Sequence, residues 1–370
     1  MKSQKNLCVI GGGVSGLSCA ILLQKQGYNV TIFTDENPRK TSGNPAFSSI
    51  YPAASIIPHS ISSEHTLALF ESSLQQFSKL YDQQFPGLNI HTHFELFVNT
   101  HPKPDYLELM DNTEAFHDFN KGFYPKHPDM EITDGWKFNC YFADWSLYYP
   151  ALINLFEEQK GTLKIVHLLP EDLPHLPFDI IINCSEMGAR KLFGDEHGLI
   201  YRGHLIHVRN APALKSPEDE TISYNFSPGT EIYASEYGNP QDVYFYPRSD
   251  GWVLGGSRQK GFLGPLGEWE GEQVVAPYRE IDGSLVPAQI PELHSKILGH
   301  TFGVELEEFA NWSVKKGYRY LRKEENGLRL ESEHLHSKLV IHNYGHGGAG
   351  VTLSWGCAQR VVELLEEAIS

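Results

Sequence analysis

The sequence predicts an α/β fold in which a parallel sheet with helices on both faces is joined to a second domain of mixed or antiparallel sheet. Three observations lead to this fold class. The start of the chain reads as strand, glycine turn, helix and strand; residues 178–184 contain three consecutive isoleucines, at 180–182; and residues 340–370 read as strand, glycine-rich turn and helix. Continuous β-branched runs are typical of parallel strands covered on both faces. Short alternating runs in the remaining segments indicate antiparallel strands.

The first of these elements carries a dinucleotide-binding pattern. A short apolar strand at 6–10 leads into GGGVSG, an apolar helix follows, and a second strand at 30–33 ends at two acids. In this arrangement the first glycine makes the tight turn, the second admits a pyrophosphate and the third lets helix and strand pack closely. One of the acids would hold a ribose hydroxyl. The predicted contacts with the dinucleotide are Gly11, Gly13, Val14, Ser15, Gly16, Asp35 and Glu36.

The loop at 40–55 is rich in Ser, Gly, Asn and Pro. It is either a surface connector or, because its small hydroxyl residues follow the ribose acids so closely, part of the lining of an extended cofactor. Apolar residues at helical spacing in 63–85 then predict a helix with a core-facing stripe. The second interpretation of the loop makes Thr41, Ser42, Ser48 and Ser49 candidate cofactor contacts.

The middle of the chain indicates two domains built from interleaved segments. Alternating strands and Pro-rich turns fill 89–139, helix and strand patterns return at 146–184, and 203–310 is again rich in strands and loops. We therefore expect the first domain to comprise 1–55, 140–202 and 311–370, and the second to comprise 56–139 and 203–310.

The strongest signal for a ligand lies near the end of the chain, in VIHNYGHGGAGVTLSWGCA at 340–358. A tight strand-to-helix turn requires one or two glycines, whereas five fall within twelve residues here. Glycines let the backbone approach a planar ligand because no Cβ stands in the way. The helix predicted at 353–367 would direct its free N–H groups and positive dipole end at this turn, which suits an anion or a ligand that becomes anionic. The five glycines are Gly345, Gly347, Gly348, Gly350 and Gly356.

Composition narrows the class of partner. The 370 residues carry a net charge of −16, which argues against a nucleic acid or an anionic membrane as partner. The five cysteines are scattered, without a CxxC pair, and the 18 histidines show no HExxH or comparable spacing, so we expect neither a disulfide framework nor a metal site. The apolar run at the start is too short for a signal peptide, and no apolar stretch reaches 18 residues. These features predict a cytoplasmic protein that acts on a small molecule.

Four segments resemble the D-amino acid oxidase family, in the order in which that family has them. They are DIIINCS at 179–185, RGH at 202–204, KGYRYLR at 316–322 and IHNYGHGGAGVTLSWGCA at 341–358. SGNPAFSSIYP at 42–52 resembles instead the FAD-dependent oxidase part of a bacterial tRNA wobble-uridine-modifying enzyme. The resemblance implies a Rossmann-like FAD-binding domain of the glutathione reductase type, with FAD as the cofactor.

The resemblance also implies roles for individual residues. Arg319 would pair with the substrate α-carboxylate, because a planar guanidinium binds a carboxylate bidentately. Tyr244 would donate its hydroxyl to the same carboxylate, Gly348 would offer its carbonyl to the amino group, and Tyr224 would match a tyrosine on the loop that covers the site. A surface ion pair is the alternative for Arg319, since other basic residues surround it in sequence. The remaining implied cofactor contacts are Leu168, Gly347, Gly348, Ala349, Gly350, Val351 and Thr352.

The implied reaction is oxidation of the C–N bond of a small amino acid, with hydride passing from Cα to flavin N5. The imino acid would hydrolyse to a 2-oxo acid and ammonia, and O2 or another acceptor would take the electrons, O2 giving hydrogen peroxide. A glycine- or sarcosine-type oxidase, a modified-nucleoside amine oxidase and a non-catalytic flavin-binding protein are the alternatives. The last stays open because Glu186 stands where the family usually has glycine, and Phe47 and Ser48 where it commonly has Ala-Gly.

Overall fold

The computed structural model describes residues 5–40, 43–52, 54–59, 61, 65–196, 198–265, 267–322 and 327–370. The chain forms two compact units. The first comprises Met1–Leu88, Leu147–Ile200 and Tyr318–Ser370, and the second comprises Asn89–Ser146 and Tyr201–Gly317.

Helices and strands are interspersed as far as residue 198, and eight strands then follow one another as far as residue 287. The strands are β1 (Asn6–Ile10), β2 (Asn29–Thr34), β3 (Leu88–Phe97), β4 (Asp111–Ala115), β5 (Asp134–Ala143), β6 (Thr162–Ile165), β7 (Ile180–Asn183), β8 (Gly198–Arg209), β9 (Ile222–Ser227), β10 (Val243–Arg248), β11 (Gly251–Gly255), β12 (Gln259–Leu263), β13 (Trp269–Gly271), β14 (Tyr278–Ile281), β15 (Ser284–Pro287), β16 (Trp312–Arg322), β17 (Arg329–Leu335) and β18 (Lys338–Tyr344). The α-helices are α1 (Val14–Lys25), α2 (Thr66–Asp82), α3 (Phe116–Phe119), α4 (Trp145–Glu158), α5 (Gly188–Phe193), α6 (Gln289–Phe302) and α7 (Ser354–Ile369).

The first unit holds a six-stranded sheet in the order β17-β18-β7-β1-β2-β6. Its strands run parallel except β17, which is antiparallel to β18 at the edge. Val9 lies opposite Ile182 and Ile182 lies opposite Ile341, and all three side chains are fully buried. The continuous apolar runs therefore form the centre of a parallel sheet, which confirms the predicted α/β class.

Both faces of this sheet are covered. Cys8 and Ile10 pack with Leu168 and Leu173 in one apolar cluster. Val9 points to the opposite face, because side chains alternate along a strand. There it meets α1, where a Cβ added to Gly16 would lie 3.3 Å from its Cγ1.

Helix α2 belongs to the first unit, whereas the predicted boundaries place residues 56–88 in the second. It packs closely on α7: the amide of Gly356 donates to Ser73 Oγ at 2.8 Å, and a Cβ added to Gly356 would lie 2.0 Å from the Leu69 carbonyl oxygen. The helical spacing of Leu67, Phe70, Leu74, Phe77 and Tyr81 predicts that these residues face the core. This is partly wrong, because Leu67 and Tyr81 are exposed while Leu69 and Ser73 are buried. Helical spacing shows that one face is apolar but does not say which element covers it.

The second unit is a mixed sheet with one long helix. Its ten strands follow the order β13-β12-β8-β11-β10-β9-β3-β5-β4, with β16 beside β8, and a separate hairpin pairs β14 with β15. The pairing is antiparallel at most positions and parallel between β3 and β9. Phe94, Phe226 and Phe245 lie in one apolar core with Ile290 and Ile297 of α6. This unit matches the predicted mixed or antiparallel sheet.

Candidate cofactor and substrate site

The turn between β1 and α1 requires glycine at its predicted positions. Gly11 has φ +116° and donates its amide to the Phe33 carbonyl at 2.8 Å, and a Cβ added to it would lie 2.2 Å from the Cys184 carbonyl oxygen. A Cβ added to Gly16 would lie 1.9 Å from the carbonyl oxygen of Gly11. Any side chain at either position would push the turn apart. The backbone is therefore as tight as the dinucleotide pattern predicts.

The N-terminus of α1 opens onto the serine-rich loop. The cap residue, Gly13, offers no side-chain hydrogen bond, and the amide of Val14 donates to Ser49 Oγ at 3.1 Å. Exposed amides at a helix start, together with the helix dipole, favour a phosphate group. Of the loop candidates, Ser48 and Ser49 lie at this helix end, whereas Thr41 and Ser42 lie outside the described residues.

The predicted ribose acids border a cavity of about 180 Å³ that begins at this turn. Asp35 and Glu36 follow β2 and line the cavity together with Leu168, as predicted for a cofactor contact. The carboxylate of Glu36 accepts from Asn44 Nδ2 at 3.0 Å, and that of Asp35 lies 3.2 Å from His167 Nδ1. Each of the two acids therefore contacts a polar side chain at the edge of the cavity.

The glycine turn between β18 and α7 presents free amide groups. Gly347 donates to the Tyr320 carbonyl at 2.9 Å, and Leu353 donates to Ala349 at 2.9 Å. No acceptor among the described residues takes the remaining amides. They belong to Gly348, Gly350, Val351 and Thr352. The side-chain hydroxyl of Thr352 donates to the Ile57 carbonyl at 3.1 Å.

A second cavity, of about 60 Å³, joins the two glycine turns within the first unit. Gly13, Val14 and Ser15 of the first turn line it with Gly347 and Gly350 of the second. The structure therefore brings together candidates that lie more than 330 residues apart in sequence. The lining also includes residues that the sequence did not single out as cofactor contacts, among them Glu186, Met187, Tyr318, Tyr320 and His346.

The unusual Glu186 is a structural part of the glycine turn. It has φ +47°, its Oε2 accepts the Gly345 amide at 2.9 Å, and its Oε1 lies 2.5 Å from His346 Nδ1. Positive φ at a residue with a side chain marks a position held by its surroundings. In the sequence, the only sign of this arrangement is the glutamate at a position where the family usually has glycine.

Strand β16 carries both a predicted substrate residue and two cavity residues. Tyr318 and Tyr320 line the smaller cavity, and burial raises the pKa of the Tyr320 hydroxyl. Arg319 is partly exposed and lies between them, so strand alternation directs it to the other face of β16. Neither described cavity of the first unit includes Arg319 in its lining.

The two predicted tyrosines of the second unit differ in their surroundings. Tyr244 is partly exposed on β10, and its ring packs against the backbone of Gly255 and Gly256. Tyr224 is fully buried, and its hydroxyl bonds to His294 Nδ1 at 2.8 Å. The expected loop position of Tyr224 is therefore wrong: it lies within β9, and strand alternation directs its ring into the core beneath α6.

The family model described as FAD dependent oxidoreductase (DAO) matches residues 6–364. The chain belongs to this family. A D-amino-acid oxidase of Rubrobacter xylanophilus is 27% identical over 98% of this chain and 96% of that protein. The human D-aspartate oxidase is 25% identical over 98% of this chain and 95% of that protein. Among solved structures, the glycine oxidase from Geobacillus kaustophilus has a TM-score of 0.62 at 16% identity, covering 98% of this chain and 95% of that one, which shows the fold alone.

Membership of this family confirms an FAD-dependent oxidoreductase, and FAD is the cofactor. The residues of the first unit fit it: a glycine turn that a Cβ would fill, a helix start for the pyrophosphate, acids at the end of β2 and free amides before α7. Among the described residues, no cluster of three or more histidine, cysteine or acidic side chains could hold a metal ion. Every helix in the described ranges is too short or too polar to cross a membrane.

Proposed function

We propose that the protein oxidises a small D-amino acid, converting the amino acid, O2 and water into a 2-oxo acid, ammonia and hydrogen peroxide. One observation carries this proposal: Gly347 and Gly350 of the turn before α7 line a cavity together with the dinucleotide turn, in a chain that aligns over 98% of its length with a D-amino-acid oxidase. The family and the relatives support amino acid or amine oxidation. The identity of the substrate is part of the proposal.

In this proposal Arg319 binds the substrate carboxylate. Its side chain is partly exposed, so it is accessible to a small molecule. The guanidinium fork gives two parallel charge-assisted hydrogen bonds. Gly348 is exposed at the turn and offers its carbonyl oxygen to the substrate amino group. Together these contacts fix the Cα–H bond in one orientation.

Positioning and charge stabilisation are the tasks of the protein in this reaction. FAD, when bound, accepts the hydride from Cα, so no side-chain base is required. The amides of Gly350, Val351 and Thr352, aligned with the positive end of the α7 dipole, favour negative charge that develops beside them. Holding the substrate by its carboxylate and amino group supplies the orientation that a bimolecular reaction in water lacks.

A substrate screen under nitrogen tests the proposal. Purified protein saturated with FAD is mixed with D-, L- and N-methyl amino acids, and loss of the flavin absorbance is followed. Bleaching by D-amino acids, followed by hydrogen peroxide formation when air is admitted, is the expected result. Bleaching by glycine and sarcosine alone would move the assignment to the glycine- or sarcosine-type alternative. No bleaching by any amino acid would overturn the proposed function.

A further inference from the structure

Two buried histidines near the end of β18 make parallel sets of contacts. In each ring, one nitrogen contacts a glutamate carboxylate and the other contacts an asparagine side chain. For His342 these partners are Glu333 and Asn183. For His346 they are Glu186 and Asn343. An imidazole nitrogen that faces an acceptor must carry a hydrogen, and one that faces a donor must not. The orientation of each asparagine amide therefore indicates the protonation of its histidine.

His342 is set as a neutral imidazole. Asn183 Oδ1 accepts from the amide and the hydroxyl of Ser185, at 3.1 and 2.6 Å, so its Nδ2 is the group that faces His342 Nδ1 at 2.9 Å. Nδ1 accepts, and Nε2–H donates to the Glu333 carboxylate at 2.8 Å. Burial, together with the positive charge of Arg329, lowers the pKa of His342, in agreement with this arrangement.

In His346 the asparagine presents its oxygen to the ring rather than its nitrogen. Asn343 Nδ2 donates to Cys19 Sγ at 3.1 Å, and its Oδ1 faces His346 Nε2 at 3.0 Å. The other ring nitrogen, Nδ1, lies 2.5 Å from the carboxylate of Glu186. Both partners of the ring are acceptors, so both ring nitrogens must carry hydrogen.

We propose that His346 is held as an imidazolium with Glu186 as its counter-ion, forming a fixed charge pair beside the glycine turn that binds the cofactor. Both residues line the smaller cavity, and the amide of Gly345 completes the hydrogen bonds of the carboxylate. The imidazolium adds to the positive end of α7 at the same turn. This also explains why a side chain persists at the positive φ of Glu186: it neutralises a buried cation. The effect on the cofactor rests on the proposed function, whereas the protonation state does not.

The protonation state is tested on the cofactor-free protein by ¹⁵N NMR of the histidine rings at neutral pH, with His346→Gln and His342→Gln for assignment. We expect two protonated nitrogens for His346 and one protonated nitrogen for His342, which serves as the internal reference. Glu186→Gln should convert His346 to a ring with one unprotonated nitrogen, whereas Glu333→Gln should leave His346 unchanged. An unprotonated nitrogen on His346 in the wild-type protein would overturn the proposal, whatever the protein oxidises.

The effect on the cofactor is tested by the midpoint potential of bound FAD. His346→Gln leaves the Glu186 carboxylate without its cation, so the preference for reduced over oxidised FAD should fall about tenfold, or about 30 mV for a two-electron couple. Glu186→Gln removes both charges and should lie between this variant and the wild type. Glu333→Gln, which breaks the matched pair outside the cavity, should leave the potential unchanged. Equal potentials in all four proteins would show that the charge pair does not act on the cofactor.

Discussion

The hydroxyl of Ser49 lies 3.1 Å from the amide nitrogen of Val14 and accepts its hydrogen bond. Val14 is the first residue of α1, so this bond ties the loop after β2 to the helix end that suits a pyrophosphate. The same hydroxyl occupies the space beside Gly13, where an added Cβ would lie only 2.6 Å from it. Gly13, Ser49 and the N-terminus of α1 are therefore packed against one another.

We predict that Gly13→Ala lowers FAD affinity at least about tenfold, or about 1.4 kcal/mol. The methyl group must displace Ser49 Oγ, and glycine at this position of the pattern lets the protein backbone approach the pyrophosphate. Adding Ser49→Ala should recover part of the loss, because the colliding oxygen is then absent. Titration of cofactor-free protein with FAD measures both effects. Gly43→Ala is the control, since an added Cβ there meets nothing within 4 Å, and wild-type affinity in Gly13→Ala would contradict the prediction.

The contact between α2 and α7 predicts a second outcome. Gly356→Ala should destabilise the protein by about 1–3 kcal/mol, because its Cβ would lie 2.0 Å from the Leu69 carbonyl and the helices must separate. Gly299 in α6 is the matched helical control, with its nearest atoms at 3.8 and 4.0 Å from an added Cβ. Gly299→Ala should stabilise by about 0.5–1 kcal/mol through helix propensity. Urea unfolding of both variants decides; the same sign for both would refute the packing argument.

Acid sensitivity is predicted for the second unit. Burial lowers the pKa of His294 to about 4, and the ring bonds to the Tyr224 hydroxyl and to the Gly255 carbonyl. Because an unfolded histidine titrates near 6.5, the unfolded state binds more protons between about pH 6.5 and 4. Stability from this group is therefore fully present above pH 6.5 and is lost as pH falls towards 4, on the order of 3 kcal/mol in all.

His294→Asn should flatten this pH dependence. The variant removes the titrating ring, whereas His91, whose pKa burial lowers to about 3, is present in both proteins. Unfolding free energies at about pH 7, 5.5 and 4.5 give the slope for each protein. A slope in the variant as steep as in the wild type would assign the acid sensitivity to other groups.

Local patterns predicted much of the first unit. The strand, turn, helix and strand from Asn6 to Thr34 follow from residue spacing, because Gly16 is required by an atom of its own turn and Gly11 by the chain just after β7. The unit to which residues 56–88 belong could not be predicted in the same way, because an apolar helix face packs equally well on either domain. The contact of Gly356 with Leu69, which lies 287 positions away in sequence, assigns α2 to the first unit.

The site shows the same division between local and distant information. The amides before α7 follow from the position of a glycine turn ahead of a helix. The Tyr224 error arose because a resemblance gave the residue a loop, although its alternation with Phe226 already suits a strand facing a core. The pairing of Glu186 with His346 spans 160 positions and depends on a positive φ, which no spacing in the sequence specifies.

The substrate class depends most on Arg319. If it binds the α-carboxylate, Arg319→Ala should leave FAD bound and the fold intact but abolish bleaching by any amino acid. Losing one partner of a desolvated, bidentate pair costs on the order of 3–5 kcal/mol of substrate binding. Arg319→Lys should restore little, because an ammonium group cannot reproduce the planar fork.

The neighbouring exposed Lys316 provides the matched control, since Lys316→Ala removes a positive charge from the same strand. If Arg319 acts only through surface charge, the two alanine variants should behave alike, with stability changes within about 0.5 kcal/mol and unchanged turnover. Stopped-flow reduction under nitrogen, at several substrate concentrations, separates binding from the hydride step. Saturation at a normal rate with a normal apparent Kd in Arg319→Ala would remove the arginine from the site and, with it, the α-amino acid assignment.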